Sequence, residues 1–156
     1  MDVPLVVAAV ALGSNLGDRR SNLRYALSKL EAFIDHPTVS RFYETVPVGV
    51  RGPQSLFLNA ALVGGTDLSA RQLLDLLLAI ESDRGRERPF PGAARTLDLD
   101  LVLLGDQVIE EPALTVPHPR FRERRFVLEP LLEIAPELRD PVTGKTIREL
   151  FALITQ

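Results

Sequence analysis

Two aspartates separated by one residue are the strongest chemical signal in this sequence of 156 residues. Asp98 and Asp100 lie in a segment where leucine alternates with polar residues from Thr96 to Leu101. Because alternation is the period of a β-strand, Leu97, Leu99, Leu101 and Leu103 should share one face. The two carboxylates should share the other face, about 6–7 Å apart. Carboxylate oxygens at this spacing suit Mg²⁺, which also takes waters and substrate phosphates as ligands.

An acidic strand face that is merely solvated, or paired with arginines, is the alternative explanation. Aspartate is depleted in strands, which weighs against that alternative. The segments on either side are rich in arginine, whose guanidinium group binds phosphate through two parallel hydrogen bonds. These arginines are Arg84, Arg86, Arg88, Arg95, Arg120, Arg122, Arg124 and Arg125. The sequence therefore favours a small polyanion bound together with its metal.

Composition limits the class of protein. With 46% hydrophobic residues, the chain can bury a core, and we expect a single domain over residues 1–156. It contains no cysteine, which excludes disulfides and thiolate metal sites, and its net charge is −3, which argues against general nucleic-acid binding. No apolar run approaches the roughly 20 residues of a membrane span. We expect a cytoplasmic protein that acts on small molecules, with no membrane or obligate protein partner.

Hydrophobic periodicity predicts strands and helices around the acidic strand. The strands are expected at residues 5–12, 39–46 and 57–63, and the helices at residues 18–33, 69–85 and 146–154. A short helical pattern from Phe126 to Ile134 is expected to be interrupted by Pro130. After a turn at Gly105-Asp106, Val108–Ile109 is expected to pair back as a short strand. The connection from Pro47 to Ser55 favours antiparallel pairing of the strands that it joins.

Two polar residues stand out within these elements. Asn59 lies inside an otherwise apolar strand, where a buried amide needs hydrogen-bond partners. His118 lies in the extended Thr115–Pro119 segment beside the second arginine cluster, where an imidazole can donate a hydrogen bond to phosphate. The alternatives are an amide satisfied by neighbouring backbone and a structural histidine, and the other histidine, His36, is expected to be incidental.

Four segments, in this order and spacing, carry a resemblance to a known family. They are Leu12–Asp18, Phe57–Ala61, Arg95–Asp100 and Val116–Pro119. The chain resembles the 6-hydroxymethyl-7,8-dihydropterin pyrophosphokinases of folate biosynthesis. The resemblance implies an α+β, ferredoxin-like fold with helices on an antiparallel sheet. It also implies that the pterin hydroxymethyl oxygen attacks the β-phosphorus of ATP and AMP leaves.

The resemblance also implies roles for individual residues. Asp98 and Asp100 match the aspartates that hold two Mg²⁺ ions on the triphosphate. Arg88 and Arg95 match arginines that grip the transferring phosphates, and Arg86 matches an arginine of the same loop. The remaining matches line the ATP site, Leu101 through its backbone: Glu81, Leu101, Thr115, His118 and Arg124.

For the pterin, Asn59 matches the amide that bonds to the ring edge. Phe57 and Phe126 match two aromatic side chains that sandwich the ring, a large apolar contact. A wall that binds the ring edge through backbone groups is matched by Thr45, Pro47 and Val48.

The chain also departs from the family pattern. The residues before Arg95 are Pro91-Gly92-Ala93-Ala94, where many members carry Arg-Trp-Gly-Pro. Two other functions share parts of the pattern. One is a different Mg²⁺-dependent nucleotidyl or phosphoryl transferase, which would leave Asn59 and the aromatic pair without a purpose. The other is a ferredoxin-like module that binds RNA or a regulatory ligand, which the acidic balance opposes.

Overall fold

A computed structural model describes residues 4–47, 55–85 and 96–155 of the chain. The strands are β1 (Val6–Ser14), β2 (Asp35–Val39), β3 (Tyr43–Thr45), β4 (Phe57–Thr66), β5 (Asp98–Leu104), β6 (Ile109–Glu111) and β7 (Leu114–Val116). The helices are α1 (Arg19–Leu30), α2 (Ala70–Asp83), α3 (Arg125–Ile134) and α4 (Ile147–Ile154). None of the described helices is long and apolar enough to cross a membrane.

One antiparallel sheet organises the fold, with strand order β2-β4-β1-β5. Strand β3 pairs with the first residues of β4, so β2 and β3 follow each other along the same edge of that strand. This arrangement of strands and helices confirms the expected α+β, ferredoxin-like fold with helices flanking an antiparallel sheet. Strand β1 lies in the middle, between β4 and β5, and so connects the halves of the molecule.

Short sequence signals fix the ends of the helices. Asp18 caps α1 by accepting a hydrogen bond from the Ser21 N–H. Ser69 and Gln72 form a capping box at α2, as Thr146 and Glu149 do at α4. Each cap satisfies backbone N–H groups that the first turn of a helix leaves without partners.

The strand predicted over residues 39–46 is in fact two strands, β2 and β3. Ser40 interrupts the ladder: its N–H bonds to the Ala61 carbonyl, but its side-chain Oγ, rather than a backbone carbonyl, accepts the Ala61 N–H. The Ser40 hydroxyl in turn donates to the Arg41 carbonyl. A hydroxyl that competes for backbone hydrogen bonds is invisible to hydrophobic periodicity.

Two other predictions need correction. Helix α3 runs through Pro130, because one missing hydrogen bond is offset by burial of the ring and of the neighbouring leucines. Ile109 does form a strand, but β6 pairs with β7 in a separate two-stranded sheet.

The sheet buries a core on each face. Helices α1 and α2 cover one face, over a cluster that includes Val10, Leu12 and Leu99. Helices α3 and α4 cover the other face, over a cluster that includes Ala9 and Ala61.

A bulge in β5 changes the expected alternation of its leucines. Ala9 pairs with Leu103 but the next residue, Val10, pairs with Leu101, so Val102 is the extra residue. Leu97, Leu99 and Leu101 belong to the α1/α2 core, as expected, whereas Leu103 belongs to the opposite core and Leu104 takes its place.

Candidate active site

Backbone pairing places a row of side chains across four strands. Asn59 of β4 pairs with Tyr43 of β3 on one side and with Gly13 of β1 on the other, and Gly13 pairs with Asp98 of β5. Directly opposed residues of antiparallel strands point to the same face. The next row places Asp100 beside Ala11, which packs against the α3/α4 core. The polar row therefore lies on the α3/α4 face, at one end of the sheet.

The two aspartates on this face keep contact with solvent. Asp98 and Asp100 are each partly exposed, whereas Leu99 between them is buried in the opposite core. Glu81 of α2, itself only 2% exposed, accepts the Leu99 N–H at 2.7 Å through Oε2. That bond fixes the backbone between the two acids.

His118 lies against the bulge of β5. Its N–H donates to the Val102 carbonyl at 2.9 Å, which holds the loop on the outer edge of the strand. Its Nδ1 accepts the Arg120 N–H at 3.2 Å, so the proton of the neutral ring is on Nε2. That nitrogen lies 4.0 Å from Oδ1 of Asp100.

The electrostatic surroundings keep His118 neutral at neutral pH. Burial lowers the pKa of His118 below its ordinary value, and the positive charges of Arg124 and Arg120 lower it further, against the opposing effect of Asp98. A neutral imidazole with hydrogen on Nε2 can donate to a phosphate oxygen without adding a charge.

The donor set in this region fits a hard cation. Within residues 4–47, 55–85 and 96–155, no three His, Cys, Asp or Glu side chains form a complete metal cage. Two half-exposed carboxylates on one strand face provide only part of a coordination shell. Mg²⁺ suits such a site because it keeps waters and takes phosphate oxygens as its other ligands.

A cleft of about 470 Å³ opens beside the row, between β3 and the start of α3. Its lining comprises Tyr43, Glu44, Thr45, Val46, Glu123, Arg124, Arg125, Phe126, Glu129 and Pro130. Arg124 lines this cleft and also acts electrostatically on His118. It therefore lies between the cleft and the acidic strand.

The interior of the polar row shows how the buried Asn59 is satisfied. The Thr45 hydroxyl donates to Oδ1 of Asn59, and both side chains are at least partly buried. Gly13 makes room for this amide, because a Cβ there would lie 3.0 Å from Nδ2 of Asn59 and 3.4 Å from the Phe57 ring. Phe57 pairs with Thr45, so its ring faces the same side of the sheet.

The structure brings most of the predicted site residues into one region. The aspartates, His118 and Arg124 lie together, and Thr45, Asn59, Phe57 and Phe126 surround the adjoining cleft or its row. Half-buried Pro47 lies two residues after the end of β3.

Three further residues lie around this region rather than at its centre. Thr115 is exposed on β7, and the side chain of Leu101 is buried in the opposite core, so only its backbone can face a ligand. Glu81 lies beneath the acidic strand. Four predicted site residues fall outside the described part of the chain: Val48, Arg86, Arg88 and Arg95.

Sequence reasoning missed the contributions of Gly13 and Tyr43. Gly13 has the character of an ordinary turn glycine in the sequence, and only the strand pairing shows that its missing side chain makes room for Asn59. Tyr43 was visible only as an aromatic residue within a predicted strand, with no signal of its place in the cleft.

Comparisons with known proteins find one family over most of the chain. The family model described as "7,8-dihydro-6-hydroxymethylpterin-pyrophosphokinase (HPPK)" matches residues 9–136. Two similar proteins bear the name 2-amino-4-hydroxy-6-hydroxymethyldihydropteridine pyrophosphokinase. The protein from Synechocystis is 43% identical over 145 residues, covering 92% of this chain and 73% of its own. The protein from Bacillus subtilis is 44% identical over 140 residues, covering 88% and 83%.

Solved structures share the fold at low sequence identity. The wild-type HPPK-DHPS of Plasmodium falciparum, crystallised with SDX-DHP, superposes with a TM-score of 0.76 at 17% identity over 97% of this chain. The present chain spans only 45% of that longer protein. The similarity to this protein supports the fold alone. Family membership is established by the family model and by the curated relatives. The chain belongs to the 7,8-dihydro-6-hydroxymethylpterin-pyrophosphokinase family.

Proposed function

We propose that the protein transfers the terminal diphosphate of ATP to 6-hydroxymethyl-7,8-dihydropterin in folate biosynthesis, releasing AMP. One observation carries the proposal: strand pairing places the candidate metal ligand Asp98 and the candidate pterin residue Asn59 on either side of Gly13, in one row on the same face of the sheet. A reaction that joins a flat acceptor to a polyphosphate needs such neighbouring subsites. The curated relatives are named for this activity.

The reaction exchanges one P–O bond for another and releases a proton. The hydroxymethyl oxygen of the pterin bonds to the β-phosphorus of ATP, and the bond from that phosphorus to the oxygen bridging the α- and β-phosphates breaks. AMP takes the electron pair, and the hydroxymethyl proton is released. Catalysis of this type depends mainly on alignment and charge neutralisation.

Asp98 and Asp100 are the residues that would hold Mg²⁺, and we propose two ions. When bound, Mg²⁺ would neutralise charge on the phosphates. The chain itself supplies the fixed carboxylates, through a strand whose backbone Glu81 holds from below. We assign Glu81 to the ATP site in this supporting position.

The other ATP contacts follow the layout around β5. His118 donates from Nε2 to a phosphate oxygen, and Arg124 holds the transferring group as it passes toward the cleft. Thr115 and the Leu101 backbone line the nucleoside end. Arg86, Arg88 and Arg95 complete the grip on the phosphates, as the resemblance implies.

The pterin lies in the cleft in this proposal. Asn59 bonds to the ring edge from a position that Thr45 fixes. Phe57 and Phe126 stack on the two ring faces, and Pro47 and Val48 complete the wall. We further propose that residues 1–156 act as one domain, in the cytoplasm, where ATP is made and used.

Formation of AMP tests the proposal. Purified protein with ATP and Mg²⁺ should release AMP only when 6-hydroxymethyl-7,8-dihydropterin is added. 6-Methyl-7,8-dihydropterin, which lacks the attacking hydroxyl, is the matched control and should compete without giving AMP. Absence of AMP with saturating substrates, or pyrophosphate as the released product, would overturn the assignment.

A further inference from the structure

One carboxylate joins the helix wall of the cleft to its strand wall. Oε1 of Glu133, in the last turn of α3, accepts the Tyr43 hydroxyl at 2.6 Å. The Arg41 N–H lies 3.1 Å from the same oxygen and 3.3 Å from Oε2, and the Arg41 Nε lies 3.4 Å from Oε1. No local pattern in the sequence indicates this cluster, because Glu133 lies 92 residues after Arg41 and 90 residues after Tyr43.

The elements that this carboxylate joins carry two of the candidate pterin residues, Phe126 on α3 and Thr45 on β3. On α3, Phe126 lies seven residues before Glu133, about two turns away on the same side of the helix. Pro130 lies between them and also lines the cleft. On β3, Tyr43 and Thr45 line the opposite wall. The Tyr43–Glu133 hydrogen bond therefore sets the separation of the two walls.

Strand β3 needs such a tie. It has only three residues, and within the described residues its ladder pairs it with β4 alone. A short edge strand with one neighbour has few backbone hydrogen bonds to fix its position relative to α3. A side-chain contact to α3 then has a large effect on where Thr45 lies.

The charge of Glu133 strengthens this contact. Burial raises the pKa of Glu133, but the hydrogen bonds from Tyr43 and Arg41 outweigh that effect and the pKa lies below its ordinary value. The ionised carboxylate is the acceptor at neutral pH, and hydrogen bonds to charged groups are the stronger kind. The Arg41 guanidinium also lies 5.5 Å from the centre of the Tyr43 ring.

We infer that Glu133, through Tyr43, is a positioning residue that sets the width of the cleft for the pterin. The inference rests on the proposed function. It predicts a defect in pterin binding that leaves the ATP side of the site unchanged. Glu133 itself needs no contact with either substrate.

The test compares Glu133→Gln and Tyr43→Phe with the wild-type protein in steady-state kinetics. Each variant should raise the KM for the pterin about fivefold, because small displacements of a binding wall cost affinity without changing the reacting groups. The KM for ATP and kcat should stay within about twofold. Glu137→Gln is the matched control, since Glu137 forms an exposed ion pair with Arg148 at 2.6 Å and should change nothing.

The double variant separates positioning from direct contact by Tyr43. If both side chains act through one hydrogen bond, the effect of the pair will be close to that of either single variant. Additive effects, or an equal loss in kcat and in both KM values, would overturn the inference. Tyr43→Phe removes a single oxygen, so it remains informative if Glu133→Gln fails to fold.

The two proposals fail in different ways. An active wild-type protein whose variants keep the wild-type KM for the pterin overturns the positioning role alone. A wild-type protein that makes no AMP overturns the proposed function, and the inference with it.

Discussion

The two faces of the same sheet have opposite characters, and β1 shows the contrast within nine residues. Toward α1 and α2 it directs Ala8, Val10 and Leu12, all at most 1% exposed and part of a continuous core. Toward α3 and α4 it directs only small residues: Ala9, Ala11 and, by the same alternation, Gly13. The last of these, near the end of the strand, has no side chain. The first face is closed by packing, whereas the second is left open at one end.

This difference explains how one small sheet carries both a core and a site. Large side chains fill the α1/α2 face, so the strands have fixed positions before any ligand binds. On the other face, small residues of β1 leave room for polar groups on its neighbours, Asn59 on one side and Asp98 on the other. The site is accordingly the part of the α3/α4 face that helices do not cover.

Removal of the acids on the open face should produce the largest effect. We expect Asp98→Ala or Asp100→Ala to lower kcat at least about 1,000-fold. Mg²⁺ would lose a carboxylate ligand, and the phosphate charge would no longer be neutralised. Pterin binding, measured by calorimetry with a non-hydrolysable ATP analogue, should change less than about threefold. Asp106→Ala, in a turn after β5, is the control. Retained turnover at saturating Mg²⁺ would contradict the metal assignment.

A large-to-small change on the closed face should affect stability instead of catalysis. Leu12→Ala, at a side chain that is 1% exposed, should lower the free energy of unfolding by about 3 kcal/mol, since it leaves a cavity in a packed core. Urea denaturation measures this loss. Turnover per folded molecule should stay within about threefold. A selective rise in the KM for the pterin would show that the two faces are coupled more strongly than their packing indicates.

Asp140 is a buried charge outside the cleft. Like the residues of the closed face, it should affect stability and not catalysis. Burial raises the pKa of Asp140, but hydrogen bonds from Arg122, Thr143 and the Val142 N–H outweigh that effect and lower it to about 2 from an ordinary 3.8. Because the folded pKa is the lower one, this stabilisation is present above pH 4 and is lost as pH falls toward 2. Linkage puts it at about 2 kcal/mol.

Asp140→Asn tests whether the Asp140 carboxylate stabilises the fold without affecting the site. The variant should unfold more easily at neutral pH and lose less stability than the wild-type protein between pH 4 and pH 2, which acid titration followed by circular dichroism measures. Both KM values should remain unchanged. An unchanged acid transition would contradict the role of the Asp140 carboxylate.

Filling the space beside Asn59 should give a smaller effect than these three changes, and the most local one. Gly13→Ala places a Cβ 3.0 Å from the Asn59 amide nitrogen, so the amide must shift. We expect the KM for the pterin to rise about tenfold while kcat changes little, since a misplaced binding group costs affinity first. Gly65→Ala is the matched control, because its Cβ meets Leu5 at 3.2 Å, away from the cleft. Equal effects of both changes would show a general loss of packing.

Local patterns in the sequence determined much of this protein. The alternation around Asp98 and Asp100 predicted both a strand and a shared face for the acids, and Ser69 and Thr146 marked true helix starts. These predictions succeed because they depend on neighbours two to four residues apart. The same locality explains the failures at Ser40, where a side chain replaces a backbone acceptor, and at Val102, where one extra residue turns Leu103 to the other core.

Only the tertiary structure decided which distant groups meet. The pairing of β4, β1 and β5 brings Asn59, Gly13 and Asp98 into one row, although Gly13 lies 46 residues before Asn59 and 85 residues before Asp98. The meeting of Glu133 with Tyr43 likewise depends on where α3 packs. Such contacts depend on how whole elements pack together, and no short window of sequence contains that information. The residue types that make the chemistry possible, in contrast, are determined by the sequence alone.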